Sequence, residues 1–296
     1  MTVPVISIVL GSYNRIDFLK ATLTSVRQNG IDVPYEVIAV DGGSTDGSVE
    51  WLVKQKDIIT IVQHNHGKWD GQKLERRSWG YFMNIAFQAS HGKYILMISD
   101  DCLLVPGTVL NGYEGFEQVL AEGRKVGAMA FYWRNYPERQ KYWVIKNYGI
   151  INVNHGMYLK SALEQVGWID ENTFQFYCAD GDLCLRLWAA GFEILDNPKC
   201  IVEHYSHANE LAREENSLTV KQDFDAFLSR WNPRFGELTL EEIGSYLYLE
   251  FQDDHQTYRQ FPSGRVSWNK IMVWIQLKIN KLYRRFRRLL SGSQGA

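Results

Sequence analysis

Apolar positions along this chain switch repeatedly between a strand period and a helix period, and the switching predicts a layered fold. Val3 to Leu10 (VPVISIVL) is a β-branched apolar run that stops at Gly11-Ser12, the pattern of a buried strand. Ile16, Leu19, Leu23 and Val26 then fall on one helical face, and Asn29-Gly30 supplies a stop signal. Tyr35 to Val40 is a second strand, broken at Asp41-Gly42-Gly43, and Ser44 is placed to cap a helix carrying Val49, Leu52 and Val53. Ile58 to Gln63 is a third short strand, Ser78 to Ala89 a helix, and Lys93 to Ser99 (KYILMIS) another buried strand. Strands alternating with helices predict an α/β fold with a parallel sheet, helices on both faces and right-handed crossovers.

The second half is less regular. Strands are predicted over Gly127 to Trp133 and Lys199 to Glu203, and helices over Ser161 to Val166 and Asp182 to Ala190, the last with Asp182 as its N-cap. Pro262-Ser263-Gly264 is the best candidate break before a C-terminal tail.

Composition changes this picture little, but charge placement does. The apolar and charged fractions are those of a globular protein and exclude extensive disorder. Net charge is only -2, yet Ser267 to Ala296 holds seven Lys/Arg and no acidic residue. With those seven set aside, 25 basic residues face 34 acidic ones, a balance that argues against nucleic acid as a partner. The four cysteines show no CxxC spacing, which favours a reduced setting over a disulfide framework or a zinc site. Neither a signal peptide nor a membrane-spanning run is visible, so a cytoplasmic protein is expected. Within Ser267 to Leu290, apolar residues at helical spacing are interleaved with Lys and Arg; this predicts a basic amphipathic helix and peripheral contact with the membrane's inner face.

In parallel α/β sheets ligands collect at the carboxyl ends of strands, and three polar clusters fall there: Gly11 to Arg15, Asp41 to Asp46, and Asp100-Asp101. Asp41 with its two following glycines fits either a base-reading carboxylate beside an anion-binding helix N-terminus or a plain Asx turn. Asp100-Asp101 at the tip of an apolar strand offers hard oxygen ligands to Mg2+ or Mn2+, or forms a turn. Asp180, among Phe174, Phe176 and Tyr177, is free for general-base work, and His204 after a strand is either a ligand or structural. Arg76, Arg77 and Lys68 are candidate diphosphate clamps, and Trp69, Trp79 and Tyr81 candidate sugar platforms.

Taken in order, SIVLGSYNR (Ser7 to Arg15), EVIAVDGGSTDGS (Glu36 to Ser48), YILMISDDCLLVPG (Tyr94 to Gly107), ADGDLCLRLWAAGF (Ala179 to Phe192) and VEH (Val202 to His204) resemble the family-2 glycosyltransferases of the GT-A fold over about two thirds of the chain. The resemblance implies an inverting sugar transfer from a UDP-, GDP- or dTDP-sugar, aided by Mn2+ or Mg2+, to a glycan or lipid-linked acceptor in surface polysaccharide or glycolipid synthesis. It implies Asp180 as catalytic base and Asp101 with His204 as metal ligands. Ser12, Asn14, Arg15, Asp41, Asp100, Arg76 and Arg77 are then donor-binding, and His155, Gly156 and Asp182 belong to the acceptor side. Two positions depart from the family pattern: Ser99 stands where an acid or Asn is common, and Ala179 replaces the usual Glu before the base.

The implied layout is a GT-A domain over residues 1–210, a helical extension over 211–262 and the basic tail over 263–296. Its nucleotide-binding half spans about 1–105 and its acceptor half about 106–210. Competing readings are a nucleotidyltransferase, whose basic Gly-rich triphosphate loop Gly11-Ser12-Tyr13-Asn14 does not resemble, and a catalytically weak nucleotide-sugar-binding scaffold.

Overall fold

A computed structural model describes residues 3–65, 68–205, 208, 210–251 and 254–262, with backbone alone at 68, 69, 73 and 210–213. The predicted basic helix at 267–290 lies outside the described residues.

The first half runs β1 (Ile6–Ser12), α1 (Ile16–Arg27), β2 (Tyr35–Asp41), α2 (Ser48–Leu52), β3 (Ile58–Val62), a small hairpin β4 (Lys68–Trp69) and β5 (Gln72–Lys73), α3 (Trp79–Ala89) and β6 (Tyr94–Met97). It continues with β7 (Cys102–Leu104), α4 (Thr108–Ala121), β8 (Val126–Tyr136), β9 (Tyr142–Asn147), β10 (Ile150–Ile151), β11 (Gly156–Leu159), α5 (Lys160–Val166), α6 (Ala179–Ala189) and β12 (Glu193–Tyr205). The final stretch is α7 (Glu210–Ser217), α8 (Val220–Phe235), α9 (Leu240–Ile243) and β13 (Gly244–Leu249).

Strands order as β10-β9-β8-β11-β6-β1-β2-β3. The β6-β1-β2-β3 block is parallel, as the alternating pattern requires, and β11 enters antiparallel between β6 and β8. β12 joins β8 in parallel and carries β7 on its other edge. Side-chain alternation along β1 divides the apolar interior into two cores. Val9 faces the core built with Phe82, Met83 and Phe87 of α3, Leu183 and Leu187 of α6, and Phe227 and Trp231 of α8. Ile8 and Leu10 face the other, with Leu19, Leu23 and Val26 of α1 and Val109 and Phe116 of α4. Helices thus cover both faces of the sheet, in the α/β class expected.

Several elements differ from expectation for identifiable reasons. Ser44 does not cap α2; its hydroxyl is captured by Asp41 Oδ2 at 2.7 Å, and the helix starts instead after Gly47 at φ 93°. Helix α6 begins at Ala179, which puts Asp182 inside the first turn rather than at the cap. Helix α4 has no expected counterpart, because Gly112 and Gly115 weaken its helical signature. Those glycines serve packing: a Cβ at Gly112 would meet Phe131 Cζ at 2.6 Å. The extension is not wholly helical either, since β13 pairs antiparallel with β9 and sends Leu247 and Leu249 toward the first core.

Candidate functional site

The carboxyl ends of β1, β2 and β6 bring the three polar clusters together, and a cavity of about 190 Å³ opens there. Ser12, Arg15, Asp100, Asn154, Arg76, Arg77 and Asn216 contribute its polar lining. Trp79, Phe82, Met83 and Phe176 supply apolar wall, with the Trp79 and Phe176 rings meeting edge to face at 6.4 Å. Ser12 Oγ, Arg15 Nε and Asp100 Oδ2 are buried polar atoms without a protein hydrogen bond, so this end of the cavity is set up for a polar ligand.

The loops around the cavity are tied to one another. Asn14, at φ 51°, accepts from Thr45 N through Oδ1 at 2.8 Å and donates its own N–H to Ser44 Oγ at 2.8 Å. Asp41 is fully buried, and its carboxylate accepts from Gly43 N, Ser44 N and Ser44 Oγ at 2.7–2.8 Å. Its geometry is that of an Asx turn, and Asp41 shapes the loop that borders the cavity. Arg76 donates to Asn216 Oδ1 and lies 3.5 Å from Glu215, while Arg77 sits over the Tyr81 ring at 5.4 Å.

The acidic pair is already neutralised from one side. Arg15 Nη1 bridges Asp100 Oδ1 at 2.6 Å and Asp101 Oδ2 at 2.9 Å. Arg15, expected among the donor contacts, therefore has a prior duty as counter-ion, because two adjacent buried carboxylates require one. Burial pushes Asp100 up to about 6 against the pull of Arg15. Burial opposes ionisation of Asp101 as well, but Arg15 and then His204 outweigh it and hold that carboxyl well below the usual range.

Asp101 Oδ1, on the side away from Arg15, faces His204 Nε2 at 3.5 Å. His204 Nδ1 lies 2.7 Å from Asn135 Oδ1, which orients the ring so that Nε2 is the nitrogen facing Asp101. Asp101, Cys102 and His204 offer ligand atoms all within 4.8 Å of one another, a set that fits a divalent metal ion. His155 lies behind this centre, with Nε2 3.7 Å from Cys102 Sγ and its ring 5.6 Å from that of His204. Burial and the neighbouring His204 push His155 down to about 3. Trp133 packs edge to face against both imidazoles.

Asp180 stands in the first turn of α6. Asn154, itself lining the cavity, donates to Asp180 Oδ2 at 2.6 Å, and Gly181 N donates to Oδ1 at 2.8 Å. Burial raises the Asp180 pKa above the ordinary carboxylate value against these hydrogen bonds, the direction a general base requires.

Three residues expected on the acceptor side have other work. Asp182 is fully buried and accepts from Arg186 Nε at 2.7 Å, Arg230 Nη1 at 2.9 Å and Trp231 Nε1 at 3.0 Å, a network that ties α6 to α8. Gly156 is buried where a Cβ would meet Met129 O at 2.3 Å, so its place is fixed by strand packing. His155 belongs to the acid-histidine centre. The site also contains Asn135, Asn154, Asn216 and Cys102, none singled out from sequence; only Cys102, adjacent to the acidic pair, carried a local signal.

Asp223 of α8 was equally silent in the sequence. Buried, it accepts from Gln175 N, Phe176 N and Tyr177 N at 2.8–3.0 Å and so fixes the loop that leads into α6 and Asp180.

A mostly parallel sheet with helices on both faces and an acidic pair at a strand end has the architecture of the GT-A fold. The chain belongs to glycosyl transferase family 2, whose model matches residues 7–177, more than half of its length. The match is to a sugar-transferring family rather than to the nucleotidyltransferases.

Among solved structures, the mannosyltransferase PcManGT from Pyrobaculum calidifontis, in complex with GDP-Man and Mn2+, is similar at TM-score 0.51 and 18% identity, over 69% of this chain and 57% of that one. TarS of S. aureus is similar at TM-score 0.51 and 12% identity, over 80% of this chain and 46% of that one. An uncharacterized Sinorhizobium fredii protein, y4gI, is 21% identical over 258 residues, covering 77% of this chain. The chain spans 28% of that relative's length and about half of each solved neighbour. No described helix is long and apolar enough to cross a membrane.

Proposed function

We propose that the protein transfers a sugar from a nucleoside-diphosphate sugar to a hydroxyl of a glycan or lipid-linked acceptor with inversion at the anomeric carbon. The observation that carries this reading is the continuity of the site: Asn154 both lines the cavity that holds Asp100, Arg76 and Arg77 and hydrogen-bonds Asp180. Arg76 and Arg77 supply positive charge for a diphosphate, and Trp79 with Phe176 offers apolar faces for a sugar ring. Asp180 accepts the proton of the acceptor hydroxyl as its oxygen bonds to the anomeric carbon. The bond from that carbon to the diphosphate oxygen breaks in the same displacement, and the nucleoside diphosphate departs.

A divalent cation at Asp101 and His204, when bound, neutralises the departing diphosphate. The GDP-Man and Mn2+ held by PcManGT support this assignment of donor and cation types. Arg15 keeps the acidic pair ionically balanced throughout.

The test is calorimetric titration with UDP-, GDP- and dTDP-sugars, with and without Mn2+, followed by a donor-turnover assay. Metal-dependent binding and turnover of one donor is expected. Binding without turnover of any donor supports the scaffold reading instead.

A further inference from the structure

Cys102 has no part in the reaction just described, yet it touches the centre on which that reaction depends. Antiparallel pairing sets Cys102 opposite His204 across β7 and β12, which places both side chains on one face of the ladder. Cys102 Sγ lies 3.9 Å from Asp101 Oδ1, and His204 Nε2 lies 3.5 Å from the same oxygen. A tetrahedral ion with bonds of about 2.0–2.1 Å to oxygen and nitrogen and about 2.3 Å to sulfur needs ligand separations of roughly 3.6 Å and 3.4 Å for these two edges. These two edges are therefore within about 0.3 Å of what such an ion needs, and all three ligand atoms lie within 4.8 Å of one another.

Two further features keep the arrangement available. Arg15 bonds Asp101 through Oδ2, so Oδ1 can take a ligand without breaking the ion pair. His155, buried on the far side of the sulfur, lies with Nε2 3.7 Å and Nδ1 3.9 Å from Sγ and backs the sulfur against the centre. An imidazole packed there limits how far the sulfur can swing away from Asp101.

We propose that Cys102 is a third protein ligand of the cation site, beside Asp101 and His204. The donor set is then one carboxylate oxygen, one imidazole nitrogen and one thiolate sulfur, with the remaining position left for a donor phosphate oxygen. Such a set selects thiophilic Zn2+ or Co2+ over Mg2+, which prefers oxygen alone. When the sulfur ligates, its proton passes to the buffer. The inference rests on the reading of Asp101 and His204 as cation ligands.

The test is spectroscopic and uses the full chain under reducing conditions, titrated with Co2+ in the presence and absence of a nucleoside diphosphate. The wild type is expected to develop a thiolate-to-cobalt charge-transfer band in the near ultraviolet. Cys102→Ser and Cys102→Ala are expected to lose that band while still binding Co2+ through Asp101 and His204. Co2+ bound to the wild type without the band overturns the role of Cys102 and leaves the Asp101–His204 reading standing. A band that survives both substitutions overturns it too, because the sulfur then comes from another cysteine. Failure of Co2+ to bind at all, with or without the diphosphate, overturns both readings. X-ray absorption at the zinc edge of the Zn2+-loaded wild type decides independently of any variant: a sulfur scatterer supports the assignment, and its absence refutes it.

Discussion

Asp180→Asn separates chemistry from folding more cleanly than any other substitution at this site. The side chain keeps its shape, but the amide cannot take a proton from the acceptor. Loss of a positioned general base costs about 10²–10⁴ in rate, or about 2.7–5.5 kcal/mol of barrier. Folding should not suffer. Asp180 accepts from Gly181 N and from Asn154 Nδ2, and Asn154 Oδ1 is a buried acceptor without a partner. If the Asn154 amide turns over, it accepts from the new amide while Gly181 still donates to the remaining oxygen.

Burial raises the Asp180 pKa, so the folded state holds this proton more tightly than the unfolded chain. The stability contributed by the neutral carboxyl is complete below the unfolded pKa and is lost as pH rises through the folded value. The variant lacks that loss, so its melting temperature should match or exceed the wild type's at pH 8, with the difference shrinking toward acid. The assay is donor turnover at saturating acceptor, with donor binding by calorimetry and melting curves from pH 5 to 8. Transfer within tenfold of wild type, or a variant that melts well below wild type at pH 8, would refute the assignment.

Four other outcomes follow from described contacts. Arg15→Gln strips the counter-ion from two buried carboxylates and should cost about 3–5 kcal/mol at neutral pH; Mn2+ should raise the variant's melting temperature more than the wild type's, and equal shifts would count against it. Glu203→Ala leaves Arg134 buried among Phe251, Tyr258 and Tyr142 without its carboxylate, at a cost of about 3–5 kcal/mol in urea unfolding. His155 sits near 3 when folded, so the unfolded chain takes up its proton first and stability falls by up to about 1.4 kcal/mol per pH unit between about pH 6.5 and 3. His155→Gln should flatten that acid limb, and an unchanged slope would exclude His155 as its source. Gly112→Ala forces the Phe131 ring to move and should destabilise by about 1–3 kcal/mol in thermal melts.

What could be read in advance was what neighbours in sequence decide. β1, β2 and β6 are short β-branched or apolar runs ended by polar residues, and their buried strands follow from that pattern. The acidic pair and Asp180 were legible because each lies at the boundary of such an element. Asp182 misled because a carboxylate before an apolar helical run looks like a cap, whereas its partners Arg230 and Trp231 lie 48 and 49 positions away. Helix α4 was hidden by glycines whose purpose, contact with Phe131, exists only in the folded chain. The alternation of Tyr246, Leu247, Tyr248 and Leu249 did carry a strand signal, but its partner strand is about a hundred residues upstream. The counter-ion duty of Arg15 was not legible, because nothing near it in sequence announces the two carboxylates it balances.

The Asp223 carboxylate, gripping three successive backbone amides just ahead of α6, bears on how this chain can be cut and recombined. The region shared with the family ends at residue 177, the last of those three amides, and Asp223 lies well beyond it. A chimaera that exchanges the catalytic half at that seam would import the loop without the side chain that sets its shape. The practical unit of exchange for engineering or for tracing descent therefore runs at least through α8, and homology boundaries drawn at the family's edge cut through the site's own scaffolding.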